Sequence, residues 1–157
     1  PEAERVLYVA PDGQRREFTE LPDLRALAPA PAATAWALLD GGFRLVRVGP
    51  AAQERGEFVD LDFQAADLAV DGRTGRLFAV GGSQVVLLAA SGAVLDRWEA
   101  PAGAANVVLD AWHQTVWVAG TNRLWKLNLA GEQLADLRGF VGLVRVALVP
   151  QPAPAAR

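Results

Sequence analysis

The sequence predicts an all-β fold built from repeated four-stranded antiparallel units of about 40 residues. A first landmark is one turn position that recurs at intervals of 39, 40 and 39 residues, as Gly13, Ala52, Gly92 and Gly131. A second landmark opens the apolar strand before each turn, with the same intervals, as Arg5, Arg44, Gln84 and Arg123. Four short antiparallel strands per unit of this length are typical of the blade of a β-propeller.

A third series supports the same register. The strand that follows each recurring turn is closed by Phe18, Phe58, Trp98 and Leu137. Alternating apolar residues and Gly, Asp or Asn punctuation divide each unit into four strands. The predicted blades cover residues 24–62, 63–102 and 103–139, and the last of them contains the strands NVVLD, TVWVAG, RLWKLNL and EQLADL.

The two ends of the predicted propeller domain, residues 1–149, do not make a whole blade. Residues 5–20 provide two strands and residues 143–149 a single one, so together they would form a shared or incomplete blade. The chain could close on itself, assemble head to tail with a second copy, or be part of a longer propeller. The Pro/Ala-rich segment 150–157 is expected to be an extended tail or linker.

Composition excludes several classes of protein. The chain has no cysteine, so disulfide frameworks and thiol catalysis are excluded. Its net charge is −3 without a basic cluster, which argues against nucleic-acid binding. No apolar run approaches the roughly 20 residues of a membrane-spanning helix. The composition does not determine the cellular compartment. The first residue is not methionine, and one of three explanations is a cleaved export signal, so we have a weak preference for an exported protein of the periplasm or cell exterior.

Two stretches carry a resemblance to known repeats. LAVDGRTGRLFAVGGSQVVLLAASGAVL (68–95) and VVLDAWHQTVWVAGTNRLWKLNLAGEQL (107–134) resemble blades of the NHL, YVTN and gluconolactonase-like propellers. The resemblance extends over roughly residues 5–149 and is weakest in the first blade. Gluconolactonase-like propellers hold a divalent metal in the central channel, and Asp40, Asn106 and Asn122 are the oxygen donors here that could contribute. Without a recurring acidic pattern, we predict no metal and no cofactor.

Catalytic residues are not evident. The single histidine, His113, and both serines, Ser83 and Ser91, lie in predicted turns. Histidine-based triads and multi-histidine metal sites therefore lack their components. No catalytic residue is predicted.

The candidate binding residues form two groups. If the blades surround an axis, Arg5, Arg44, Gln84 and Arg123 would repeat around it as a ring of hydrogen-bond donors for an anion or for carboxylates of a partner. The alternative is that these are strand-start residues whose stems cover apolar surface. Trp112 and Phe140 fall in connections and could anchor a partner.

These observations favour a non-catalytic propeller that binds another protein or assembles with itself as a scaffold, with a homo-oligomer formed through the incomplete terminal blade. The alternative is a metal-dependent hydrolase or lyase of the gluconolactonase-like type, acting on a small ester or a sugar-like substrate. An enzyme of this type needs several convergent oxygen ligands at the channel mouth.

Overall fold

Antiparallel β-strands make up nearly all of the regular structure. The computed structural model describes residues 6–9, 15–18, 21, 23–32, 34–49, 55–143 and 145–148, with the backbone alone at 6–9, 15–18 and 55–57. The strands are β1 Val6–Val9, β2 Arg15–Phe18, β3 Ala26–Ala30, β4 Thr34–Leu39, β5 Arg44–Val48, β6 Arg55–Asp60, β7 Asp67–Val70, β8 Leu77–Leu88, β9 Val94–Ala104, β10 Asn106–Asp110, β11 Thr115–Ala119, β12 Arg123–Asn128 and β13 Gln133–Arg138. A short 3-10 turn, Asp40–Gly42, joins β4 to β5.

The strands form three consecutive blades. Blade 1 pairs in the order β3-β4-β5-β6, blade 2 in the order β7-β8-β9, and blade 3 in the order β10-β11-β12-β13. The first strands of the blades, β3, β7 and β10, pack side by side and are therefore the innermost strands. Within the described part of the chain, no helix is long and apolar enough to cross a membrane.

Blade 2 has three labelled strands because β8 contains two strand segments. Leu77–Val80 pairs with β7, and residues 84–88 pair with β9. Between the segments lies Gly82 at a φ of 64°, a backbone conformation that glycine adopts without a steric penalty. The two segments of β8 are thus the second and third strands of the blade.

Apolar residues fill the spaces between neighbouring blades. Successive side chains of a strand point to opposite faces, so each blade can bury one set of residues against each neighbour. One cluster, which includes Trp36, Leu45 and Leu77, lies between blades 1 and 2. A second, which includes Phe78, Trp98 and Val116, lies between blades 2 and 3. A third cluster, with Ala37 and Val46 fully buried, covers the face of blade 1 that points away from blade 2.

The ends of the chain differ from the sequence expectation. Residues 145–148 form no strand, although the segment lies next to blade 3. The Leu143 amide donates a hydrogen bond to the Thr121 carbonyl (3.2 Å), and the Val146 amide donates one to Asn106 Oδ1 (2.7 Å). At the other end, β1 and β2 form a separate two-stranded sheet. Self-closure of the chain would pair residues 5–20 with residues 143–149, and no such pairing is among the described strand pairs.

The third sequence series is off by one residue in blade 1. Val59 pairs with Leu45, just as Trp98 pairs with Val85 and Leu137 with Leu124. Val59 is therefore the counterpart of Trp98, and Phe58 is instead half exposed with the Arg44 guanidinium 5.3 Å from its ring centre. The connection from β5 to β6 is one residue longer than its counterparts, because Val48 pairs with Arg55 whereas Leu88 pairs with Val94 and Leu127 with Gln133.

Candidate functional site

The predicted series of strand-start residues lies away from the innermost strands. Arg44 begins β5, Gln84 begins the second segment of β8, and Arg123 begins β12. Each lies in the third strand of its blade, so the first and second strands of that blade separate it from the inner side of the propeller. Arg5 lies outside the described residues.

Carboxylates already neutralise the arginines around this series. Arg44 Nε donates to Asp60 Oδ1 (2.8 Å), and its Nη1 lies 2.9 Å from Asp40. The hydrogen bond and the charge of Asp60 raise the pKa of the Arg44 guanidinium. In blade 3, Arg123 is 3.8 Å from Asp136, which is also held by Arg138 at 2.7 Å.

Blade 2 also has an arginine–carboxylate pair, but its arginine lies in the last strand and the neutral Gln84 takes the position in the third strand. Arg97, in the last strand, donates to both oxygens of Asp62 (2.8 Å each) and to Gln84 Oε1 (3.4 Å). The hydrogen bond from Arg97 lowers the pKa of Asp62. These pairs are solvent-exposed, so they contribute little to stability, but they leave few donors for an outside anion. The structure therefore favours the interpretation of strand-start residues for this series.

The two aromatic candidates are not brought together. Trp112 is 80% exposed in the turn between β10 and β11. Phe140 is half buried in the connection after β13. These positions lie at opposite ends of blade 3, so Trp112 and Phe140 do not share one surface.

The three oxygen donors considered for a metal are not arranged around one point. Asp40 is engaged by Arg44 in blade 1. Asn106 in blade 3 is 6% exposed and uses Oδ1 to accept the Val146 amide. Asn122 is an exposed residue of the turn between β11 and β12. Within the described residues no three His, Cys, Asp or Glu side chains are grouped as metal ligands, and this donor set does not fit a divalent metal.

A polar connection between the innermost strands was not predicted from the sequence. Asp67 begins β7, and its Oδ2 accepts hydrogen bonds from Asn106 Nδ2 (2.6 Å) and the Val107 amide (3.1 Å) of the next blade. Asn106 begins β10 and accepts the Val146 amide in the same way. Asp67 and Asn106 are 39 residues apart, so their spacing was the available signal. We call this connection the inter-blade clasp.

The aspartate that follows the innermost strand is a turn residue. Asp71 is 4% exposed and accepts hydrogen bonds from the Arg73 amide (3.0 Å) and the Thr74 hydroxyl (2.6 Å). Burial alone would raise the pKa of Asp71, yet these hydrogen bonds hold it below the usual value. Asp110 has the same role in blade 3, where it accepts from the His113 amide (3.0 Å).

Replacing Asp71 by asparagine is expected to lower the free energy of unfolding at pH 7 by roughly 1–2 kcal/mol. A carboxyl with a depressed folded-state pKa stabilises the fold above its unfolded pKa of about 4, and this contribution disappears as the pH falls through the folded pKa. Urea unfolding at pH 7 and pH 3 should therefore show a smaller difference between variant and parent at pH 3. Glu99→Gln, at an exposed position, is the control, and an equal loss at both pH values would contradict the prediction.

A turn glycine packs against the preceding blade at both junctions between the described blades. A Cβ placed on Gly92 would overlap the side chain of Val59, and one on Gly131 would overlap the ring of Trp98. The recurring turn glycine of blades 2 and 3 thus lies directly against the last strand of the preceding blade. The residue of blade 3 that corresponds to Val59 and Trp98 is Leu137, which is 44% exposed.

The outward face of blade 3, defined by Trp117, Leu124, Lys126 and Leu137, repeats the faces that blades 1 and 2 bury. Trp117 corresponds to Trp36 and Phe78, which are 3% and 2% exposed. Trp117 itself is only half buried, with Lys126 Nζ 5.2 Å from the ring centre. Its indole Nε1 has no hydrogen-bond partner among the described residues.

Several solved structures have a similar fold. The chain is similar to hydrazine synthase from Kuenenia stuttgartiensis (TM-score 0.67, 15% identity, 77% of this chain and 37% of that chain). It is also similar to virginiamycin B lyase from Staphylococcus aureus (0.67, 13%, 87% and 49%). The WD40 repeats of RRP9 give a TM-score of 0.66 at 7% identity, over 76% of this chain and 40% of that chain.

These similarities bear on the fold alone, because the identities are 15% or less. The chain spans less than half the length of each of these structures. No protein-family model matches the sequence, and no curated protein matches it. The specific resemblance to NHL, YVTN or gluconolactonase-like repeats is therefore not confirmed, while the propeller prediction is. The described strands form three consecutive blades of a β-propeller.

Proposed function

We propose that this chain is a non-catalytic propeller module that assembles with a second copy of itself, head to tail, through the outward face of blade 3. The observation that carries the proposal is the equivalence of this face with the buried faces of blades 1 and 2. Leu137 takes the place of Val59 and Trp98, which each contact a turn glycine of the next blade.

The spacing of the repeat indicates which segment of the second copy would bind the outward face of blade 3. Gly13 is the residue of the N-terminal hairpin that corresponds to Gly92 and Gly131. A second copy that presents this hairpin would bring Gly13 against Leu137 and add strands beside residues 143–148. Those residues are already held next to blade 3 by the Thr121 carbonyl and Asn106.

Cross-linking separates a second copy from closure of the chain on itself. The parent has no cysteine, so Gly13→Cys and Leu137→Cys can be introduced without background. On mixing the two single variants under oxidising conditions, we expect a disulfide-linked dimer. The double variant should form covalently linked dimers. A double variant that links only within one chain, or singles that do not link, would overturn the proposal.

Light scattering provides an independent measurement. The parent is expected at twice the 16.7 kDa of one chain, and Leu137→Asp is expected to shift it to the mass of one chain. Leu95→Asp is the matched control, because Leu95 is 51% exposed in β9, away from the outward face of blade 3. A parent that remains a single chain at high concentration would contradict self-assembly.

The hydrolase or lyase alternative is not supported by the site. The similarity to virginiamycin B lyase is a similarity of fold, at 13% identity. Asp40 and Asn106, two of the three donors that the sequence offers, are engaged by Arg44 and Val146. A stoichiometric divalent metal found by elemental analysis of the purified protein would revive this alternative.

A further inference from the structure

Residues 145–148 lie where the first strand of a fourth blade would lie. The Val146 amide donates to Asn106 Oδ1 at the start of β10 (2.7 Å). One repeat earlier, the Val107 amide donates to Asp67 Oδ2 at the start of β7 (3.1 Å). Each of these bonds joins residues 40 positions apart, and Val146 follows Val107 by the repeat interval of 39 residues. Residues 145–148 therefore continue the row of innermost strands beyond blade 3.

The connection that leads to residues 145–148 also repeats an earlier one. The Leu143 amide donates to the carbonyl of Thr121, in the turn before the third strand of blade 3 (3.2 Å). The Ala65 amide donates to the carbonyl of Gly42, in the corresponding turn of blade 1 (2.8 Å). Ala65 lies two residues before β7, just as Leu143 lies two residues before residue 145. Backbone contacts thus hold this segment in the register of a first strand.

The outer edge of residues 145–148 is open in the described part of the chain. The backbone groups of successive residues in a strand point alternately to its two sides. Because the Val146 amide points to Asn106, Arg145 and Ala147 present their backbone groups to the side where the second strand of a blade lies. Both residues are exposed, and no described strand pairs with them. An unpaired edge of this kind accepts a strand from another chain.

The outward face of blade 3 lacks a contact that the corresponding faces of blades 1 and 2 have. At both described junctions, an aromatic residue packs with two fully buried aliphatic residues from the second strand of the next blade. These groups are Trp36 with Leu77 and Ala79, and Phe78 with Val116 and Val118. Trp117 is the corresponding aromatic residue of blade 3, and it is only half buried. The hairpin of β1 and β2 does not provide the aliphatic pair, because it corresponds to the third and fourth strands of a blade.

The second strands of the three blades indicate which side chains this position accepts. Each has an aromatic residue with an aliphatic residue on either side, in the segments AWAL (35–38), LFAV (77–80) and VWVA (116–119). Successive side chains point to opposite faces, so the two flanking aliphatic residues face the preceding blade. A strand with this pattern would place two aliphatic side chains against Trp117.

We propose that residues 145–148 and the outward face of blade 3 bind an extended segment of another protein, which pairs antiparallel as the second strand of a fourth blade. The centre of that segment is an aromatic residue between two aliphatic residues. Backbone pairing provides the affinity, and the contact with Trp117 provides the specificity. This binding goes beyond the self-assembly proposed above, because the hairpin of a second copy leaves the second-strand position unfilled.

The test uses a synthetic peptide, RLFAVG, which has the sequence of residues 76–81. The peptide carries a fluorophore at its N-terminus and is titrated with the whole chain. Fluorescence anisotropy is expected to give a Kd on the order of 10–100 μM.

Two altered peptides separate backbone pairing from side-chain contact. The phenylalanine of the peptide would lie opposite Ala147, as Phe78 lies opposite Ala69. Methylation of its backbone nitrogen removes a hydrogen bond to the open edge and should weaken binding roughly tenfold. Lysine in place of the leucine and the alanine should have at least the same effect, because the contact with Trp117 is lost. Equal binding of the three peptides would overturn the proposal.

Hydrogen exchange measured by NMR locates the bound peptide. The Arg145 and Ala147 amides are expected to exchange roughly tenfold more slowly in the complex. The Val146 amide, which is already bonded to Asn106, should change less. Two results would overturn the proposal: binding that slows neither Arg145 nor Ala147, and slow exchange of Ala147 in the chain alone, which would mean that another segment already pairs there.

Two variants and one control complete the test. Ala147→Pro removes an amide N–H from the open edge, and Trp117→Lys removes the aromatic ring from the face, so each is expected to weaken binding roughly tenfold. Leu95→Asp is the control, because Leu95 is exposed in β9, and thermal unfolding checks that all three variants are folded. Parent-like affinity in both variants would overturn the proposal. A dimeric parent that does not bind the peptide would overturn this inference and leave the self-assembly intact, whereas a single-chain parent that binds it would do the reverse.

Discussion

Gly131→Ala is expected to lower the free energy of unfolding by roughly 2–4 kcal/mol, the sum of backbone strain and a steric overlap. Gly131 has a φ of 82°, where an added Cβ costs about 1–2 kcal/mol. The added methyl group would also overlap the ring of Trp98, which is 8% exposed and lies in the core between blades 2 and 3. Urea denaturation monitored by tryptophan fluorescence measures the loss.

Gly139→Ala separates these two contributions. Gly139 has a φ of 92°, but no atom lies within 4 Å of the position that its Cβ would take. This variant should lose only the backbone contribution, about 1–2 kcal/mol. If Gly131→Ala and Gly139→Ala lose the same free energy, then the contact with Trp98 is not what requires glycine at position 131.

The recurring turn glycine illustrates which features of the fold could be predicted from the sequence and which could not. Its spacing predicted the blades and their turn, because a positive φ is a local requirement of the chain. Its second role, close contact with the preceding blade, involves residues such as Gly131 and Trp98 that a local pattern does not connect. The count also placed Phe58 where Val59 lies, since the connection between β5 and β6 is one residue longer than in blades 2 and 3.

The candidate site was harder to predict than the fold. The repeat located Arg44, Gln84 and Arg123, but whether such a series lies near the axis depends on which strand is innermost. Their ion pairs depend on residues from another strand or from a connection, such as Asp60 and Asp62.

The inter-blade clasp leads to the second prediction with a large expected effect. Asn106→Ala removes the donor to Asp67 and the acceptor of the Val146 amide, so two buried or partly buried groups lose a partner. We expect a loss of roughly 2–3 kcal/mol in the free energy of unfolding. Hydrogen exchange at the Val146 amide should become faster, because residues 143–148 are held to blade 3 by few other described contacts. Asn122→Ala, at an exposed turn position, is the control.

Asn106→Asp separates the two halves of the clasp. An aspartate at position 106 keeps an oxygen for the Val146 amide but loses the donor to Asp67 and places a second carboxylate beside it, where the Asp67 Oδ2 to Asn106 Nδ2 distance is 2.6 Å. Two carboxylates this close repel each other when both are ionised, so the destabilisation should be larger at pH 7 than below about pH 4. The Val146 amide should stay protected in this variant and exchange quickly in Asn106→Ala. If both variants expose Val146 equally, then Asn106 holds the blades together only through Asp67, and the docking of residues 143–148 has another cause.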